Sequence, residues 1–229
     1  MMIYKRIHLA APLCIAIALC GCVKAQAGEM HKPESGIKNG GISMVVTAGN
    51  IKEIYLAGGC FWGVEGYFRR IAGVIKTDTG YANGTTDTTN YQQIHSTDHA
   101  ETVKITYNTG VIALEELLEH YFRIIDPLSV NKQGNDIGRQ YRTGIYYTDK
   151  KDEPAIHTFL KRMQLQYTRP IAVEAEPLRN FVLAEEYHQD YLEKNPNGYC
   201  HINLNLVSVP LHDEAKFQTP DAKKIKERL

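Results

Sequence analysis

The sequence predicts an α/β (α+β) domain built as a two-layer sandwich, with a central mixed β-sheet flanked by helices. Three observations carry this. Short runs of alternating polarity and longer runs with three- and four-residue apolar spacing succeed one another along the chain, the pattern of strands interleaved with helices. Runs 74–80 and 102–107 both read as strands with no helical pattern between them, so the sheet is not wholly parallel. The chain has 229 residues, 43% of them hydrophobic, which suits one globular domain with a sizeable core plus attachments.

The elements follow in order. Ile54-Tyr55-Leu56-Ala57 lies in a strand at about 53–58. Val64, Tyr67, Phe68 and Ile71 mark one face of a helix at 61–72, ended by Gly73. A strand at 74–80 precedes polar, Thr- and Asn-rich residues 82–94, which predict a surface loop. In 102–107, Val103, Ile105 and Tyr107 alternate with Thr102, Lys104 and Thr106. A helix at 112–125 would bury Leu114, Leu117, Leu118, Tyr121 and Ile125 and stop at Asp126-Pro127. After a second long loop, 127–140, come a strand at 143–148, a helix at 152–167, a strand at 171–176 and a last helix at 183–193. No internal repeat or heptad pattern is present.

The first residues differ from the rest. Lys5 and Arg6 precede an apolar stretch, Leu9 to Leu19, too short to span a membrane. Residues 1–21 therefore read as a signal peptide. Leu19-Cys20-Gly21-Cys22 resembles a bacterial lipobox, with Cys22 as the lipidated first residue of an exported protein held at a bacterial membrane or in the periplasm. The rival cut follows Ala25-Gln26-Ala27, which would release a soluble exported protein. Residues 22–50 are polar and Gly-rich and read as a tether, 51–207 as the folded domain, and 208–229 as a tail ending in a basic, solvated stretch. Formal net charge is zero, and removal of Lys5 and Arg6 with the leader would leave 24 basic against 26 acidic residues. No basic stripe points to nucleic acid.

Five cysteines occur, at 14, 20, 22, 60 and 200. Without the leader, and with Cys22 lipidated, Cys60 and Cys200 alone remain as thiols. In an exported protein such a pair suggests a disulfide, structural or reactive. The setting of Cys60 favours the reactive reading. Gly58-Gly59-Cys60-Phe61-Trp62-Gly63 places it where a strand stops and a helix begins, where unpaired N–H groups and the positive helix end favour a thiolate. Phe61 and Trp62, the one tryptophan, put apolar surface beside the sulfur, and Gly59 would let a substrate approach the backbone. Cys200 lies in the loop-like Asn195-Pro196-Asn197-Gly198-Tyr199-Cys200, able to swing.

Other residues could join this chemistry. Glu101, in His99-Ala100-Glu101 at a strand end, could donate a proton if burial raised its pKa. Tyr141 and Asp136, at the end of the second long loop, could hydrogen-bond a substrate oxygen and orient a neighbour, and Tyr91 could act as Tyr141 does. His95, His99, Cys200 and His201 lack the tight spacing of a metal site, so no metal is expected.

Taken together, these pieces resemble the A-type peptide methionine sulfoxide reductase family. The resemblance covers residues 52–203. It rests on Gly59-Cys60-Phe61-Trp62-Gly63, Thr79-Gly80-Tyr81, Tyr91, His99-Ala100-Glu101, Gly134-Asn135-Asp136, Gln140-Tyr141-Arg142, and Tyr187-His188-Gln189-Asp190-Tyr191-Leu192 through Gly198-Tyr199-Cys200. It implies a ferredoxin-like core with a long C-terminal coil, and a monomer that needs no cofactor. In it Cys60 would attack the sulfoxide sulfur and Glu101 would protonate the departing oxygen. Tyr91 and Tyr141 would polarise the S–O bond, Asp136 would hold the polar network through water, and Phe61 and Trp62 would receive the methyl group. Cys200 would resolve the Cys60 sulfenic acid as a Cys60–Cys200 disulfide, which a thioredoxin-like dithiol protein would reduce. Residues 202–229 hold no further cysteine, so reduction would act directly on that bridge. No B-type segment is present, which confines the expectation to the S epimer of methionine sulfoxide, free or in oxidised proteins. The alternatives are a general thiol–disulfide oxidoreductase, which would want a close Cys-x-x-Cys pair, and an anchored binding module with a structural Cys60–Cys200 bridge.

Overall fold

The computed structural model describes residues 50–211. The expected signal peptide, Cys22, the tether up to residue 49 and the tail beyond residue 211 lie outside the described residues. Among the described residues, no helix is long and apolar enough to cross a membrane.

Strand β1 (Ile51–Gly58) lies at the centre of the sheet, antiparallel to β3 (Ala100–Asn108) on one side and to β6 (Thr143–Tyr147) on the other. Strand β2 (Val74–Ala82) extends the sheet beyond β3, and β8 (Phe181–Leu183) lies at that edge. The opposite edge is β7 (Glu174–Pro177), parallel to β6. The order is β7-β6-β1-β3-β2-β8, a mixed sheet. Its four inner strands, with helices α1 (Phe61–Phe68) and α2 (Leu114–Ile124) as connections, form the expected ferredoxin-like β-α-β-β-α-β core. Helix α3 (Glu153–Gln164) connects β6 to β7.

Side-chain alternation divides the core between the two faces of the sheet. Ile54, Leu56, Val103, Ile105 and Ile145 join Phe61, Val64, Tyr67 and Phe68 of α1 and Leu117, Leu118 and Tyr121 of α2 in one cluster. Tyr55, Ala57, Ala82, Ala100 and Tyr146 face the other way, beneath Leu178 and Phe181. Each large side chain fully buried in this way contributes roughly 1.5–3 kcal/mol. Tyr121 of α2 also donates its hydroxyl to Ala57 O at 2.7 Å, which fixes the end of β1 three residues before Cys60.

Three expectations change. The helix expected over 61–72 is regular only to Phe68. Arg70 N and Ile71 N then bond three residues back, to Tyr67 O and Phe68 O, and this tightening still buries Ile71. The loop 127–140 contains a small hairpin, β4 (Lys132–Gln133) with β5 (Asp136–Ile137), and a 3-10 turn at Arg139–Tyr141. Gln133 closes it, accepting from Asp126 N at 2.8 Å and donating to Asp126 O at 2.9 Å.

The helix expected over 183–193 does not form. Its first residue belongs to β8, turns follow, and only α4 (Tyr191–Lys194) is helical. Tertiary hydrogen bonds outweigh the local pattern. The Glu185 carboxylate accepts from Tyr81 Oη at 2.6 Å and Tyr91 N at 2.9 Å. Gln189 pairs with the N–H and C=O of Thr79, both at 2.9 Å. Asp190 sits at φ 53°, outside helical geometry.

Candidate active site

The site forms where β1 hands over to α1. Gly59 has φ +82°, a conformation other residues adopt at a cost. A Cβ there would lie 2.6 Å from Gln133 Cβ and 3.0 Å from His201 Nε2. The space beside Gly59 is thus filled by this protein's own side chains, not left open for a substrate as the sequence suggested. The turn sets Cys60 at the N-cap of α1, 7% exposed, with Cys60 O accepting from Gly63 N at 3.2 Å.

Glu101, on β3, is 2% exposed, and its Oε2 accepts from Phe61 N at 3.0 Å. Desolvation pushes its pKa up to about 8 against the pull of the Phe61 N–H. At neutral pH Glu101 is therefore a neutral acid, as its expected role requires. Cys60 departs from expectation. Burial, then the charge of Glu101, push its thiol well above the ordinary range, outweighing the Trp62 and Gly63 N–H groups that pull it down. The helix end favours the thiolate as anticipated, but α1 is short and its first N–H is engaged by Glu101, so desolvation prevails. Substrate-free, Cys60 is a thiol.

Tyr91 and Tyr141 join this centre. Burial raises both phenols, and the charges of Glu101, Cys60 and Asp136 add to it. Both stay protonated and can donate. Tyr141 ends the 3-10 turn, which the ion pair of Arg139 with Asp98, at 2.6 Å, ties to the chain before β3. Tyr91 is held by its N–H on Glu185 and by its ring 4.7 Å from that of His188. Asp136, at the start of β5, accepts from Tyr199 Oη at 2.9 Å and lies 3.8 Å from His201 Nδ1.

Trp62 follows Phe61 in the first turn of α1. Its ring stacks on Tyr191 at 3.6 Å between centroids and 11° between planes. Its Nε1–H donates to His188 Nδ1 at 3.1 Å. Since indole only donates, neutral His188 carries its proton on Nε2. The buried Phe61 ring lies 5.0 Å from His188 and 5.8 Å from Tyr81. Cys60 and Cys200 are both free thiols. Cys200 Sγ lies against the first turn of α1, 3.2 Å from where a Cβ on Gly63 would stand, and contacts Ile202 O at 3.1 Å. Gly63 thus makes room for the second sulfur. Among the described residues, no group of three or more His, Cys, Asp or Glu side chains gathers as a metal site.

The Peptide methionine sulfoxide reductase family model matches residues 52–219. The chain belongs to that family. Mxr1 of Saccharomyces cerevisiae, in reduced form, is 37% identical, with a TM-score of 0.64 over 71% of this chain and 96% of its own. Methionine sulfoxide reductase A of Corynebacterium diphtheriae is 32% identical, with a TM-score of 0.62 over 66% of this chain and 78% of its own. Mxr1 in an unusual oxidised form matches with a TM-score of 0.52 at 36% identity, over 71% of this chain and 92% of its own. The chain is a methionine sulfoxide reductase of the A type.

In this reductase, Cys60, Glu101, Tyr91, Tyr141 and Asp136 converge, and Phe61, Trp62 and Cys200 border them. His188, Tyr191, Tyr199 and His201 stand out by no local pattern, although the first three lie in the runs that carried the resemblance. His188 and Trp62 are 126 positions apart, and nothing local in the sequence signals that one accepts from the other.

Proposed function

We propose that this reductase acts on the S epimer of methionine sulfoxide through Cys60. The observation that carries this is the buried, neutral Glu101 at the N-terminus of the helix that starts beside Cys60. A sulfoxide sulfur becomes electrophilic once its oxygen is protonated or strongly hydrogen-bonded. Glu101 supplies the proton, and Tyr91 and Tyr141 donate hydrogen bonds that strengthen as charge develops on oxygen. The Cys60 sulfur forms a bond to the sulfoxide sulfur as the S–O oxygen takes up the Glu101 proton. The thiol proton of Cys60 passes through the polar network that includes Asp136 and restores Glu101. The hydroxyl so formed then transfers from the substrate sulfur to the Cys60 sulfur as the S–O bond and the new S–S bond break: the substrate leaves as methionine, reduced by two electrons, and Cys60 becomes a sulfenic acid, oxidised by two. Phe61 and Trp62 receive the substrate's methyl group.

Cys200, resting against α1 at Gly63, attacks the sulfenic acid. A Cys60–Cys200 disulfide forms and water leaves. A thioredoxin-like dithiol protein reduces the bridge by exchange, becoming oxidised itself. Lys5, Arg6, the apolar stretch after them and the lipobox-like run ending in Cys22 support export and lipid anchoring. The protein would then repair oxidised methionine outside the cytoplasm as an anchored monomer.

The test is a pair of substitutions. Cys60→Ser should abolish methionine formation. Cys200→Ser should release one methionine per enzyme and stall when thioredoxin is the reductant. Retained turnover in the first, or undiminished cycling in the second, would sink the assignment of that residue.

A further inference from the structure

Glu65 is a buried carboxyl that the reaction does not use. It lies on α1 one turn beyond Phe61 and is 1% exposed, with Oε1 lacking any hydrogen-bond partner. An isolated buried carboxylate is costly, so its surroundings indicate its purpose. The backbone N–H groups of Asp190 and Tyr191 face it and favour its ionised form, as does the charge of Arg69, while burial and the charge of Asp190 oppose that form. Those two N–H groups open α4, and a helix's first N–H groups have no partner within the helix.

The surrounding contacts join the same two elements. Arg69 Nη1 meets Asp190 Oδ1 at 2.6 Å, and Arg70 Nη2 meets Glu193 Oε1 at 3.1 Å. Leu192 Cδ1 lies 3.0 Å from where a Cβ on Gly66 would be. Asp190 holds φ 53°, a left-handed conformation that a non-glycine residue keeps only when its surroundings enforce it. The next residue, Tyr191, stacks on Trp62.

We propose that Glu65 is a positioning residue of the sulfoxide pocket: its carboxylate holds the start of α4, and α4 holds Tyr191 flat against Trp62. The indole is gripped at two points, by the Tyr191 ring and by His188 at Nε1. Losing the first leaves the second as a pivot. The indole then rotates about that bond and the methyl-binding wall loosens. This rests on the reading that Trp62 lines the pocket.

Trp62 is the one tryptophan of the chain, so its emission, excited where tyrosine does not absorb, reports the stack directly. The full-length protein carrying Glu65→Gln is compared with the wild type in tryptophan emission without substrate and in steady-state kinetics on a methionine-S-sulfoxide peptide. The expected result is a changed emission intensity together with a KM raised about three- to tenfold and a kcat within about twofold, since a loosened wall weakens ground-state and transition-state binding alike. An unchanged emission overturns the proposal. A changed emission with unchanged KM overturns the role in substrate binding. Trp62→Phe then separates the causes: a raised KM in that variant leaves the pocket reading intact, and an unchanged one shows that the reading itself failed.

Should Glu65→Gln not fold, Tyr191→Ala and Tyr191→Phe test the same chain of contacts. The first should reproduce the raised KM and altered emission, and the second, which keeps the ring, should restore both. Equal behaviour of the two Tyr191 variants would overturn the proposal.

Discussion

Replacing Glu101 by glutamine gives a quantitative test of the buried acid. Desolvation moves this carboxyl from 4.5 to about 8 in the folded protein. Between those values the folded state keeps a proton that the unfolded chain releases, so stability falls as pH rises across that window and levels off above about 8. Each unit corresponds to about 1.4 kcal/mol. From pH 5 to pH 7 this one group should therefore cost the wild type about 2–3 kcal/mol. Glu101→Gln keeps the size, cannot ionise, and should lack that loss. The assay is urea unfolding of both proteins at several pH values from 5 to 8. The difference between them isolates Glu101, because Glu65, raised to about 7, adds a slope of the same sign to both. Curves that stay parallel across the window would refute the claim that Glu101 is a buried neutral acid. The same variant should lose about two to four orders of magnitude in single-turnover sulfoxide reduction. Wild-type activity should decline above about pH 8 as Glu101 gives up its proton.

Gly63→Ala places a methyl group 3.2 Å from Cys200 Sγ and 3.1 Å from Ile202 Cδ1. Rapid-quench analysis should show first-turnover methionine release preserved and disulfide formation slowed about tenfold or more. Gly59→Ala meets both φ +82° and Gln133 Cβ at 2.6 Å, and chemical denaturation should show a loss of at least about 2 kcal/mol. His188→Ala leaves the Trp62 Nε1–H without its acceptor. Loss of this part-buried bond, worth about 0.5–1.5 kcal/mol, frees one side of the indole and should appear as a raised KM, and an unchanged KM would remove His188 from the support of the pocket.

Local patterning was enough for the core elements and for the motifs of the reductase family. Alternation in 102–107 and the helical spacing in 112–125 depend on near neighbours, and β3 and α2 form there with shifts of one to two residues. The Gly-Gly-Cys-Phe-Trp-Gly run pointed to Cys60 as the proposed nucleophile because a strand end, a tight turn and a helix start are local features. Tertiary structure alone decided the protonation states and the path of the chain after residue 183. Glu101 is an acid at neutral pH because β3 carries it beneath α1, out of water. The same burial overrides the helix end at Cys60 and keeps it a thiol. Residues 183–193 have an apolar spacing compatible with a helix, yet Tyr81, Tyr91 and Thr79, some 94 to 110 positions away, take the side chains of Glu185 and Gln189 and break it. A hydrogen bond between distant positions leaves no periodicity to read, so the supports of the site (His188 and Tyr191 on Trp62, Tyr199 on Asp136, Gly63 beneath Cys200) exist only once the chain has folded.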